Sequence, residues 1–288
     1  MRLIQFRHNE QTKFGQVVDD SIRVLHPSKN LGLREFLSAD ARAAAVHGAH
    51  DNPEQLKVQD VDLLPPITDS SKIVCVGLNY HEHVAETGRQ PNGYPTVFIR
   101  FADTQIGHRA PILLPTASHQ LDFEGELAVV IGQRAYQVDE QQALKYVGGY
   151  ACYNDVSVRD WQKHGTQWTP GKNFPGTGPF GPWIVTADEI PDPSALTIQT
   201  RLNGITVQSA STRQLIFSIP RLIAYISSFT ALSPGDVICT GTPGGVGFTR
   251  SPPLFMKAGD TVEVEIERIG TLSNPVTSSG AASSPHRS

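Results

Sequence analysis

Asp122-Phe123-Glu124-Gly125-Glu126-Leu127-Ala128-Val129-Val130-Ile131-Gly132 is the stretch whose reading decides the fold. Its second half is an unbroken apolar run closed by glycine, the pattern of a strand buried on both faces. Side chains alternate along a strand, so Asp122, Glu124 and Glu126 are expected on one face, about 7 Å between next-but-one positions. Carboxylates gathered at the mouth of a core strand raise one another's pKa and destabilise the sheet. Two environments relieve that: open water, or a hard divalent cation such as Mg²⁺, Mn²⁺ or Ca²⁺, all of which prefer oxygen ligands.

Outward from this strand the chain is ordinary. It has 288 residues, 39% hydrophobic and 18% charged, with a net charge of −4. A mildly acidic chain does not select nucleic acid or an anionic membrane as its main partner, since both attract basic patches. No apolar run reaches the roughly 18–20 residues of a membrane span. Residues 1–8 lack the apolar core of a signal peptide, and Cys75, Cys152 and Cys239 lie far apart in apolar runs. Buried thiols and no leader together imply a reducing, cytoplasmic setting. The 25 glycines and 21 prolines suit a strand-rich fold with many turns.

Residues 1–69 read as a small structural unit with short strands, a hairpin turn at Asp19-Asp20 and a helix over residues 33–45. After a β-branched strand at residues 72–77 comes Leu78-Asn79-Tyr80-His81-Glu82-His83-Val84-Ala85-Glu86, a short helix that Asn79 could cap. There His83 and Glu86, three apart, share a face. They form either a surface ion pair or a base oriented by a carboxylate. His81, about 200° away around the helix, is the alternative histidine. The spacing further predicts a helix over residues 138–146, a strand over residues 147–153 and a helix from residue 156 to 161. Asp155, at the corner between these last two, either caps that helix or completes a set of carboxylates. Residues 167–183 form a glycine–proline loop too long for a tight turn, with Gln167 and Lys172 able to meet an anion. A hairpin turns at Asn203-Gly204, and residues 212–217 and 218–229 read as two helices, the second capped by Ser218. Thr240-Gly241-Thr242-Pro243-Gly244-Gly245 is a glycine loop without the lysine of a nucleotide-binding loop. From Thr277 onward the chain is a low-complexity tail expected to be disordered.

Several of these segments, in this order, resemble the fumarylacetoacetate hydrolase family, and its bacterial acylpyruvase-like branch in particular. They are Gly77-Leu78-Asn79-Tyr80 with His83 and Glu86; Asp122 to Leu127; Asn154-Asp155 through Gln162; Gln167-Trp168 with Gly171-Lys172; and Pro234-Gly235-Asp236 through Gly247. The resemblance implies an α+β, mainly β fold, a mixed β-roll catalytic domain over residues 70–276 behind the small N-terminal domain. It implies a homodimer that binds Mg²⁺ or Mn²⁺ on Glu124, Glu126 and Asp155, with Asp122 behind them. It assigns His83 and Glu86 to water activation and Lys172 to an oxyanion, and places Arg100, Gln167, Thr242 and Tyr80 at the substrate. Leu78, Arg100 and Phe174-Pro175-Gly176 depart from the residues common in the family. The expected reaction is hydrolysis of a C–C bond in a 2,4-dioxo acid of acylpyruvate or fumarylpyruvate type, a step of aromatic catabolism. Isomerisation, tautomerisation or decarboxylation of a 2-oxo diacid such as oxaloacetate is the alternative.

Overall fold

A computed structural model describes residues 1–25, 32–38, 54–89 and 93–279 of the chain. The strand Gly125–Ile131 is buried at every position and lies inside a twelve-stranded sheet. Val147–Asn154, equally buried, pairs with it antiparallel, placing Gly125 opposite Asn154 and Glu126 opposite Tyr153. On its other side runs Val237–Cys239, followed by Ile73–Gly77 and the edge strand Thr96–Arg100.

Alternation along the carboxylate strand divides the core. Leu127, Val129 and Ile131 pack with Ile198, Val264 and Leu272 of a five-stranded sheet and with Leu222, Ile223 and Ile226 of the helix Ile219–Phe229. Ala128 and Val130 face Ile73, Cys75, Phe180 and Leu33. The helix starts as expected: Ser218 accepts a hydrogen bond from the Arg221 N–H, and Pro220 lies in the first turn. Asn203 and Gly204, both at positive φ (52° and 79°), make the tight turn between Thr197–Leu202 and Ile205–Ser211.

The N-terminal strands are continuous with the large sheet. Gln11–Val18 and Ser21–Val24 pair around Asp19-Asp20, and Arg2–His8 joins Gly178–Thr186, with Leu3 opposite Ile184. Other expectations change. Asp122 does not share a regular strand with Glu126, because the ladder breaks at Phe123-Glu124, where the Asn154 side chain takes the Glu124 N–H. Asp122 belongs instead to a two-residue strand paired with Ser157–Val158. Residues 156–158 are therefore extended, not helical, as β-branched Val156 and Val158 favour; the chain turns at Arg159-Asp160, and a 3₁₀ turn follows at Trp161–Lys163. Residues 138–146 hold a 3₁₀ helix, Glu140–Tyr146. Residues 212–217 give only the turn Thr212–Gln214, closed by a Ser211/Gln214 capping box. Thr277 and Ser278 end the strand Gly270–Ser278, not a loose tail; residues 280–288 lie outside the described residues. Of the helix expected over residues 33–45, Leu33–Phe36 is helical and residues 39–45 lie outside the described residues.

Asn79 does not cap the helix His81–Thr87; Tyr80 occupies that position. The Asn79 carboxamide, fully buried, accepts from the Phe217 N–H (2.7 Å) and donates to the carbonyls of Phe217 (3.1 Å) and Thr240 (2.7 Å). It ties the entry of this helix to two distant segments. Asn79→Ala strands these backbone partners, and we expect a loss of about 3 kcal/mol. Denaturant unfolding checks this, and a loss below about 1 kcal/mol would mean that water replaces the carboxamide.

Candidate active site

The strand Gly125–Ile131 and the end of Val147–Asn154 deliver Glu124, Glu126 and Asp155 to one place. One carboxylate oxygen from each lies within 4.8 Å of the others, and all three residues are buried. Lys172, 1% exposed, reaches this cluster from the short helix Thr169–Lys172. Its Nζ is 2.6 Å from both Glu124 Oε2 and Asp155 Oδ2. Arg159 approaches from the Asp122 side, with Nε 2.7 Å from Asp122 Oδ2 and Nη1 2.6 Å from Glu124 Oε1. Arg100 holds Asp155 Oδ1 at 2.7 Å.

Four buried carboxylates thus meet three buried cations, and the imbalance falls on Glu126. Its Oε2 accepts from the Gly241 N–H at 2.9 Å, and among the described residues no cationic side chain pairs with it. Burial, then the charges of Asp155 and Glu124, push its pKa well above the carboxylate range. Burial alone would raise Glu124 too, but Lys172 and Arg159 outweigh it and hold that carboxyl well below the usual range. For Lys172, burial works against the charge, while Asp155 and Glu124 reverse the effect and raise its pKa.

The acid set fits a hard divalent cation. Three carboxylates supply oxygen donors, those already hydrogen-bonded keep further lone pairs, and the like-charge conflict at Glu126 is the one a cation relieves. Such an ion would sit on Glu124, Glu126 and Asp155.

A cavity of about 270 Å³ opens onto Glu124 and Glu126, and its wall includes His83, Arg159, Lys172 and Thr242. This is smaller than the roughly 300 Å³ at the low end for drug-sized ligands, so it suits a small metabolite. His83 Nδ1 lies 2.7 Å from Glu86 Oε1, which leaves Nε2 as the free ring nitrogen. Glu86 is held in turn: its Oε2 accepts from the Gly245 N–H (2.9 Å) and the Thr249 hydroxyl (3.1 Å). Burial opposes ionisation of Glu86, but His83 and the Gly245 N–H outweigh it and lower its pKa. His81, by contrast, is exposed and off the cavity wall.

The remaining sequence assignments divide by position. Thr242 is on the wall, its hydroxyl donating to the Gly125 carbonyl (3.0 Å). Arg100 stands behind the carboxylates, 1% exposed, and Tyr80 is buried, its hydroxyl without a partner among the described residues. Gln167 is exposed. None of these last three lines the cavity. The sequence reading gave no role to Arg159, although it lies four residues after Asp155. Its Nη2 is buried and has no hydrogen-bond partner among the described residues, a donor available to a bound anion. Only burial distinguishes it from a surface arginine, and one isolated sequence carries no such signal.

Residues 72–277 match the family described as fumarylacetoacetate (FAA) hydrolase C-terminal. A mitochondrial oxaloacetate tautomerase of Xenopus laevis is 41% identical over 287 residues, 96% of this chain and 90% of that protein. Among solved structures, a 5-carboxymethyl-2-hydroxymuconate delta-isomerase from Mycobacterium smegmatis superposes with a TM-score of 0.78 at 34% identity, covering 96% of this chain and 100% of that one. A maleylpyruvate hydrolase from Sphingobium sp. SYK-6, in complex with manganese(II) and pyruvate, gives 0.80 at 28% identity, covering 96% and 99%.

The charge imbalance makes a thermal-shift prediction. Mg²⁺ or Mn²⁺ at about 100 times its dissociation constant should stabilise the protein by about 2.7 kcal/mol. Glu126→Gln removes one of the crowded charges, so the metal-free variant should melt no lower than the metal-free wild type, yet lose the shift. A shift retained by Glu126→Gln places the ion elsewhere.

Proposed function

We propose that this chain, which belongs to the fumarylacetoacetate hydrolase family, is a tautomerase of a small 2-oxo diacid of the oxaloacetate type. The observation that supports this most is the near full-length likeness to an oxaloacetate tautomerase at 41% identity. It favours the isomerase side of the sequence expectation over C–C bond hydrolysis.

The site chemistry agrees with that choice. Keto–enol conversion breaks one C3–H bond, moves its electron pair into a C2=C3 bond and places a proton on the C2 oxygen. No water need attack, so the reaction asks for one base and for positive charge at the oxygen. His83 is the base in this reading: Glu86 binds Nδ1, so Nε2 takes or returns the C3 proton. Lys172, kept protonated by Glu124 and Asp155, and Arg159, through its unpaired Nη2, bring positive charge to the developing oxyanion. A divalent cation on Glu124, Glu126 and Asp155 supplies Lewis-acid stabilisation of the same oxygen when bound. Thr242, on the cavity wall, is held in place by its hydrogen bond to the Gly125 carbonyl.

Following the conversion of enol-oxaloacetate to the keto form in the ultraviolet, with Mg²⁺ or Mn²⁺ present, tests the reading. Wild type should accelerate it, and a panel of acylpyruvates should be cleaved more slowly. Acylpyruvate cleavage faster than tautomerisation would restore the hydrolase. His83→Ala should lower kcat by roughly 10²–10⁴-fold, the usual worth of a positioned base. His81→Ala should change it little; the reverse order would move the role to His81.

A further inference from the structure

Two exposed cationic side chains complete the cavity wall, Arg89 and Lys163. Neither forms an ion pair among the described residues, whereas Lys172 and Arg159 deeper in the cavity are bound to carboxylates. Each rim cation rests on an aromatic face. The Arg89 guanidinium lies 5.0 Å from the centre of the Trp168 ring, and Lys163 Nζ lies 5.6 Å from that of Phe248. Stacking of this kind is attractive even at an exposed site and biases a flexible side chain toward one position.

The Trp168 platform is itself built. Its ring meets Phe98 edge-on at 5.3 Å, and on another side it packs against Gly77, where an added Cβ would run into it. Gly77, Phe98 and Trp168 all line the cavity. The wall therefore carries a supported arginine at its exposed end and the acid cluster with Lys172 at its buried end. A 2-oxo diacid has the matching layout: a 2-oxo carboxylate at one end and a second carboxylate two bonds beyond the keto carbon.

We propose that Arg89, held on Trp168, receives the second carboxylate of the substrate, with Lys163 on Phe248 adding charge at the same rim. This site selects diacids over the corresponding monoacids, and it rests on the 2-oxo diacid reading above. Arginine suits the task because its planar fork can bind a carboxylate through two N–H groups.

Oxaloacetate and 2-oxobutanoate test it, since they differ only in a carboxylate replacing a methyl group. Tryptophan fluorescence, read within seconds of mixing with the Mg²⁺-loaded protein, gives both dissociation constants. Wild type should bind oxaloacetate about 10-fold more tightly, the order expected of one charge-assisted contact. Arg89→Leu should remove most of that preference and leave 2-oxobutanoate within about twofold. Arg89→Lys should restore part of it, and Lys163→Leu should give a smaller loss. In turnover, Arg89→Leu should raise KM for oxaloacetate and spare kcat. Equal binding of the two acids by wild type, or equal weakening of both by Arg89→Leu, overturns the assignment. Selective diacid binding without enol–keto acceleration would instead retain Arg89 and remove the tautomerase.

Discussion

The ammonium of Lys172, 2.6 Å from both Glu124 and Asp155, is the interaction on which the rest of the site depends. Without it, two carboxylates from different strands would repel each other out of water. Like charges cannot be held together by hydrophobic packing, so three of the four acids arrive with a counter-charge. Arg100 does this for Asp155, and Arg159 serves Glu124 and Asp122 together. The cost of burying so many ions means that the cluster is weak evidence for stability. Its role is geometric: seven ionisable groups fix one another's positions, and among the described residues only Glu126 finds no cationic partner.

The large sheet provides the rigidity that this arrangement needs. Gly125–Ile131 and Val147–Asn154 are central strands, buried at every position, so their ends move little. The proposed base is supported differently. His83 sits on a seven-residue helix whose attachment comes from Asn79 at its entry and from Glu86 on its face. Glu86 binds the imidazole with one oxygen and the glycine loop with the other. The same carboxylate that orients the ring also ties the helix to residues 245–249.

Much of the fold was legible because its signals were local. The apolar run 127–131, the turns at Asp19-Asp20 and Asn203-Gly204, and the Ser218 cap each depend on a few adjacent residues. The acid cluster was legible for a related reason: Glu124 and Glu126 are near neighbours, and Asp155 directly follows the strand beside them. What failed was non-local. Asp122 left the expected face because a side chain thirty residues beyond Glu124, Asn154, breaks the ladder. Ser157 and Val158, inside the segment read as helix, pair instead as a strand with residues 121–122. Arg100 looked free to meet substrate, yet Asp155 and Thr177 enclose its guanidinium. Arg159 gained its place only through burial.

The junction between Arg2–His8 and Gly178–Thr186 has a consequence for how the chain can be cut. The nine residues of the latter strand are buried at all but one position, and Leu3 seals them against Phe180, Ile184 and Phe36. The family match begins at residue 72, which invites trimming to that point. Such a truncation would uncover part of a buried, apolar strand edge a few residues downstream of Lys172. Unpaired edges of that kind template intermolecular pairing. The N-terminal residues therefore act as a solubility element for the catalytic sheet, and a shortened protein would self-associate before its chemistry could be measured.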